Sequence, residues 1–157
     1  MTGMRRKNLI RFTEKLCMME HSDYPTLSCY TDGASRGNPG PSACAYILVT
    51  ENGEVIEEQG IPLGNGTNNE AEYRGLLAGL SAATRYRCIH LNLFSDSELM
   101  IRQMQGQYRV SSPRLRLLHE QAQALLSLFI EVTFRSVPRE DPFIVRADKL
   151  CNRALDV

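Results

Sequence analysis

The sequence predicts an α/β fold: a mixed five-stranded sheet with helices on both faces. Three observations carry this. Three runs rich in β-branched and aromatic residues follow one another between residues 26 and 60, joined by turn residues. Two later segments repeat apolar residues at helical spacing. From residue 68 onward helical and extended patterns alternate, giving the order βββαβααβα, an antiparallel meander followed by helix-linked strands.

The strands of the meander are expected at Thr26–Thr31, Ala43–Thr50 and Val55–Gly60. Asn52-Gly53 joins the last two as a tight hairpin, with Gly53 supplying the positive φ that such a turn demands. Leu63-Gly64-Asn65-Gly66 should then break the chain before a helix. That helix starts at Asn68 or Asn69 and ends near Arg85, with Leu76, Leu77, Leu80 and Ala83 as its inner stripe. Thr67 and Asn68 suit its N-cap, and Glu70 and Glu72 place negative charge in the first turn. A fourth strand covers His90–Ser95 and a short helix Ser97–Gln105. Pro113, behind Ser111-Ser112, opens a helix whose inner stripe is Leu115, Leu118, Ala122, Leu125 and Leu126. A fifth strand, Ile130–Val137, and a closing helix, Ile144–Leu155, complete the order.

The bulk properties bound the function. A chain of 157 residues with 43% apolar content suits one domain with a sizeable core. No apolar run approaches the roughly 18 residues that span a bilayer, so no membrane partner is expected. Five scattered cysteines without a C-x-x-C pair argue against a zinc site or disulfide framework and suit a reducing, cytoplasmic setting. Eighteen basic and eighteen acidic residues cancel. Any nucleic-acid partner must therefore be held by a local patch, with modest affinity and a strong need for divalent metal. Residues 1–25 read as a basic N-terminal extension, set off from a domain over 26–157 at Tyr24-Pro25. A frayed arm or short helix, a phosphate-binding arm and a targeting segment are its open readings.

The chemistry concentrates in Tyr30-Thr31-Asp32-Gly33-Ala34-Ser35-Arg36-Gly37-Asn38-Pro39-Gly40, where an apolar strand runs into an acid and a glycine-rich turn. A carboxylate on a rigid strand is well aimed, and glycine lets backbone approach a ligand. Three later segments add to it: Thr67-Asn68-Asn69-Glu70-Ala71-Glu72-Tyr73, Leu91-Asn92-Leu93-Phe94-Ser95-Asp96-Ser97 and Ala147-Asp148-Lys149-Leu150. In this order, and from about Leu27 to Leu155, the chain resembles the type 1 ribonuclease H family.

If the strands ending near Asp32 and Asp96 are parallel neighbours, their carboxylates emerge together at one sheet edge. Crowded anions of this kind favour a hard divalent cation. Glu70 and Glu72 lie about 200° apart on their helix and cannot both face that edge. The resemblance selects Glu72 and leaves Glu70 as first-turn charge. It also selects Asp148, through the Ala-Asp-x-Leu-x-Asn pattern of Ala147 to Asn152.

The resemblance implies a central first strand with the fourth and fifth parallel to it. It implies Asp32, Glu72, Asp96 and Asp148 as catalytic residues holding two Mg²⁺ ions (Mn²⁺ as a substitute) about 4 Å apart. The reaction implied is endonucleolytic hydrolysis of the RNA strand of an RNA·DNA hybrid, leaving 3′-hydroxyl and 5′-phosphate ends. Asn38 and Asn68, with backbone near Gly33 and Ser35, would feel the 2′-hydroxyls, while Thr67 and Asn69 would grip a DNA phosphate. Double-stranded RNA is a second candidate partner, and a monomer is expected. The alternative is a non-catalytic or weakly active nucleic-acid-binding domain of the same fold.

Three departures from the family pattern stand out. The loop before Asp148 carries Val137-Pro138-Arg139-Glu140, as in archaeal-type members, where bacterial members often have a histidine. The following Asp141–Arg146 is longer and more apolar than usual. There is no tryptophan-rich basic protrusion; Arg109, Arg114 and Arg116 are candidates for its phosphate grip.

Overall fold

The computed structural model describes Thr13 and residues 22–157. Five strands, β1 (Thr26–Ser35), β2 (Gly40–Thr50), β3 (Val55–Gly66), β4 (His90–Ser95) and β5 (Glu131–Ser136), form one sheet in the order β3-β2-β1-β4-β5. The β1–β2 and β2–β3 pairs are antiparallel, and β4 is parallel to both β1 and β5. Within residues 22–157 four helices accompany them: α1 (Asn68–Arg85), α2 (Glu98–Met104), α3 (Pro113–Leu126) and α4 (Pro142–Leu155). This is the mixed sheet with helices on both faces that the element order predicts.

The two-residue alternation of β2 divides the core. Tyr46 and Leu48 join Leu27, Cys29, Leu76, Leu80, Leu91 and Leu93 beneath α1, α2 and α3. Ala43, Ala45, Ile47 and Val49 join Ala147 and Cys151 beneath α4. Small residues set how close the helices come. A Cβ on Gly79 would stand 2.6 Å from Cys29 Sγ, and one on Gly75 2.7 Å from the Asp32 carbonyl oxygen, so α1 lies almost on the backbone of β1.

Four boundaries differ from expectation by two residues or more, each for a physical reason. β2 begins at Gly40 rather than Ala43, because Gly40 still pairs with Gly66 of β3. β1 runs on to Ser35, because β2 pairs with it through Ser35↔Ser42, so Asp32 sits inside a strand. Leu63–Gly66 is not a break. It extends β3, which stays paired to β2 as far as Gly40↔Gly66, and a register shift at Ser42/Ala43 absorbs the turn-forming residues. α4 begins two residues early, since the Asp141 carboxylate accepts the N–H groups of Phe143 (2.9 Å) and Ile144 (3.3 Å) and Pro142 fills the first helical position. The basic extension falls largely outside the described residues. At its junction the Tyr24 ring meets Tyr86 edge-on, and the Pro25 carbonyl accepts from the N–H groups of Ile89 and His90.

Candidate active site

Sheet register brings the first two acids together. β1 and β4 pair in parallel from Thr26↔His90 to Tyr30↔Phe94. Two residues further on each chain stand Asp32 and Asp96, beyond the last paired rung and at the same height. The third acid arrives on α1. The first turn of that helix presses on Gly33, where a Cβ would stand 2.2 Å from the Ala71 carbonyl carbon and 2.3 Å from the Glu72 nitrogen. No other residue fits there, and Glu72 is thereby carried against Asp32. One carboxylate oxygen from each of Asp32, Glu72 and Asp96 lies within 4.8 Å of the others.

The α1 N-terminus is fixed from its own sequence. Thr67 Oγ1 accepts the Glu70 N–H at 3.1 Å and donates to Glu70 Oε1 at 3.2 Å, a variant of the capping box. Glu70 also meets Arg114 at 3.6 Å. It is a helix-start acid outside the cluster, and Glu72 is the one that enters it. Glu98 pairs with Arg102 four residues on and likewise stays outside.

Electrostatically the cluster is unfinished. Burial, then the Asp96 and Asp148 charges, push the Asp32 carboxyl up to about 7. Burial, then Asp32 and Asp96, raise Glu72 well above the usual carboxylate range. Burial also raises Asp96, with Asp148 adding to it and the Arg139 guanidinium opposing it. Glu72 Oε2 and Asp96 Oδ1 are shut off from solvent with no hydrogen-bond partner. Buried acceptors without donors are costly. An all-oxygen donor set with two orphaned oxygens fits a hard divalent cation, which would satisfy both atoms and return the acids to their ionised form.

Asp148 lines the same cleft, about 530 Å³ in volume, but stands outside the close trio. It occupies the second turn of α4 rather than its start, exposed, with Asn152 Nδ2 at 3.4 Å from Oδ2. Gly33, Ser35 and Asn68 line the cleft as well. Asn68 Oδ1 accepts from both the N–H and the hydroxyl of Ser35 at 2.9 Å, while the Asn68 N–H donates to Asn38 Oδ1 at 3.1 Å. One small network therefore ties the β1–β2 turn to the start of α1. Asn69 is exposed on that first turn.

The family model described as "Reverse transcriptase-like" matches residues 30–154, from the aromatic before the first acid to the end of α4. Ribonuclease HI of Halobacterium salinarum is 42% identical over 127 residues, 81% of this chain and 63% of that protein. The crystal structure of RNase H1 from the same archaeon superposes with a TM-score of 0.80 at 40% identity, covering 83% of this chain and 98% of that one. The chain belongs to the type 1 ribonuclease H family. LC11-RNase H1, solved in complex with an RNA/DNA hybrid, is 33% identical with a TM-score of 0.78, over 83% of this chain and 96% of that one.

Arg139 is the site residue that pattern reading passed over. It is exposed, lines the cleft and lowers the Asp96 carboxyl. The sequence offers only that it is the one cation of Val137-Pro138-Arg139-Glu140, which does not say which way it turns. The three candidate phosphate-gripping arginines diverge. Arg116 donates to the carbonyls of Val110 and Ser111, Arg114 faces Glu70, and Arg109 is exposed.

Proposed function

We propose that the chain hydrolyses the RNA strand of RNA·DNA hybrids with two Mg²⁺ ions held by Asp32, Glu72, Asp96 and Asp148, leaving 3′-hydroxyl and 5′-phosphate ends. The observation that carries this is the convergence of three carboxylates from three separate elements within 4.8 Å, two of them with orphaned buried oxygens. Asp32 lies between the other two elements and is the natural shared ligand. Bound cations would supply the Lewis acidity that phosphodiester hydrolysis needs at neutral pH.

The remaining tasks fall to the chain's own groups. The Oδ1 atoms of Asn38 and Asn68 are occupied, so each amide presents its Nδ2 donors outward. A ribose 2′-hydroxyl accepts such a donor and deoxyribose offers nothing in its place, which favours the RNA strand. On the exposed first turn the Asn68 N–H is taken by Asn38, and the N–H of Asn69 is the one suited to a phosphate of the opposite strand. Thr67 contributes by holding that turn, its hydroxyl being engaged with Glu70. Arg139 sets a positive charge in the cleft near Asp96, where a phosphate must enter against negative charge. The free thiols of Cys29, Cys44, Cys88 and Cys151 support a reducing, cytoplasmic setting.

The test is cleavage of labelled RNA·DNA hybrid, double-stranded RNA and double-stranded DNA, each with Mg²⁺, Mn²⁺ or chelator, with product ends typed by phosphatase sensitivity. Hybrid should be cut in Mg²⁺ and untouched in chelator, and Asp32→Asn should abolish cutting without loss of fold. A fully active Asp32→Asn protein, or cutting in chelator, overturns the proposal. Hybrid bound but left intact by the parent protein supports the alternative of a binding domain.

A further inference from the structure

Beneath the acids lies a second convergence. Tyr30 stacks on Phe94 with ring centroids 4.8 Å apart at 17°, and on its other side meets Phe143 at 4.7 Å and 36°. These half-buried rings come from β1, β4 and the first turn of α4, the elements that carry or lead into Asp32, Asp96 and Asp148. The spacing repeats. Asp32 and Asp96 each follow their ring by two residues, about 6.6 Å along an extended chain. Asp148 follows Phe143 by five, about 7.5 Å along a helix. A layer of rings thus underlies a layer of carboxylates.

We infer that the Phe143–Tyr30–Phe94 stack is the brace that sets the spacing of the catalytic acids, with Phe143 the positioning residue for Asp148. This rests on the function proposed above. α4 packs on β1, β2 and β3, and its seat is close: a Cβ on Gly60 would stand 2.4 Å from the Leu150 carbonyl oxygen. Ala147 and Cys151 seat the middle and end of the helix against Ala43, Ala45, Ile47 and Val49 of β2, which lies on the β3 side of β1. The cluster lies on the other side, between β1 and β4. What draws the N-terminal half of α4 toward it is Phe143, locked by the Asp141 cap and wedged on Tyr30, which in turn stacks on β4. Asp148 stands outside the close trio, so small movements of this turn decide whether it engages a cation held there. Asp141, Pro142 and Phe143 supply the cap, the proline and the ring of this arrangement in three consecutive residues.

Phe143→Ala should lower kcat on hybrid about tenfold with KM within twofold, because misplacing one ligand costs the chemical step rather than substrate binding. It should raise the Mg²⁺ concentration for half-maximal rate several-fold and weaken calorimetric Mn²⁺ binding by a similar factor. In an Asp148→Asn background the same substitution should change neither quantity further, and Phe143→Tyr should retain both. Equal losses in the two backgrounds, with metal affinity unchanged, would reduce Phe143 to a structural residue and overturn the inference. If Phe143→Ala does not fold by circular dichroism, Phe143→Leu is judged by the same criteria. A parent protein that leaves hybrid uncut removes the function proposed above, while the Mn²⁺ comparison still decides the brace.

Discussion

Asp32 carries a heavy electrostatic burden, and its cost has a sign. The side chain is 6% exposed and its carboxyl is pushed up to about 7, against about 3.9 in an unfolded chain. Between those values the folded state holds a proton that the unfolded state has released. Without metal, this group therefore removes stability as pH rises from about 4 to 7, and the loss is complete above the folded value. Asn imitates the protonated acid. In chelator, urea denaturation should find Asp32→Asn close to the parent at pH 4.5 and more stable by about 2 to 4 kcal/mol at pH 7.5. A difference that does not grow with pH would show that the carboxylate is not strained. Single-residue chemistry of this kind was legible in the sequence where a strand ended in an acid. It was not legible for Arg139, because nothing in a loop sequence says which way an exposed arginine turns.

At the scale of elements, the site depends on how tightly α1 is pressed onto β1. Gly33 is the contact that matters, since its missing side chain leaves room for the backbone of Ala71 and Glu72. Gly33→Ala forces the helix away or bends the strand, and overpacking of this degree costs about 1–3 kcal/mol. Stability by urea denaturation should fall by that amount. Activity should fall further than stability explains, because the displaced turn carries Glu72; an active, stable Gly33→Ala protein would mean the helix start is freer than its contacts indicate. Periodicity located every strand and helix of residues 22–157, because burial on one face leaves a pattern of two or 3.6 residues. It misplaced the ends of β1 and β3, where the chain remains paired through glycines and polar residues that normally signal a turn. Pairing is a property of the partner strand, and the sequence of one strand does not contain it. The same holds for Phe143: an apolar residue near a helix start looks like core until its neighbours are known.

The whole molecule is neutral, with eighteen charges of each sign, yet it sets four acids around one cleft. A fold that concentrates repulsion this way is stabilised by whatever neutralises it, and binding to the folded state alone raises its stability by RT ln(1 + [L]/Kd). At a hundred times the dissociation constant this amounts to about 2.7 kcal/mol. For a chain of this length that corresponds to a rise of roughly 5–10 °C in Tm. Mg²⁺ should therefore raise the Tm of the parent protein at pH 7.5, while NaCl at equal ionic strength should not. The rise should shrink at pH 5, where protons and cations compete for the same oxygens, and should largely vanish in Asp32→Asn. Linkage makes this the reverse side of the pH argument: below about pH 7 a cation must displace the proton that folded Asp32 holds, and above it that carboxylate is already ionised and free to bind. A parent protein whose Tm ignores Mg²⁺ at every pH would place the metal, if any, elsewhere than among Asp32, Glu72 and Asp96.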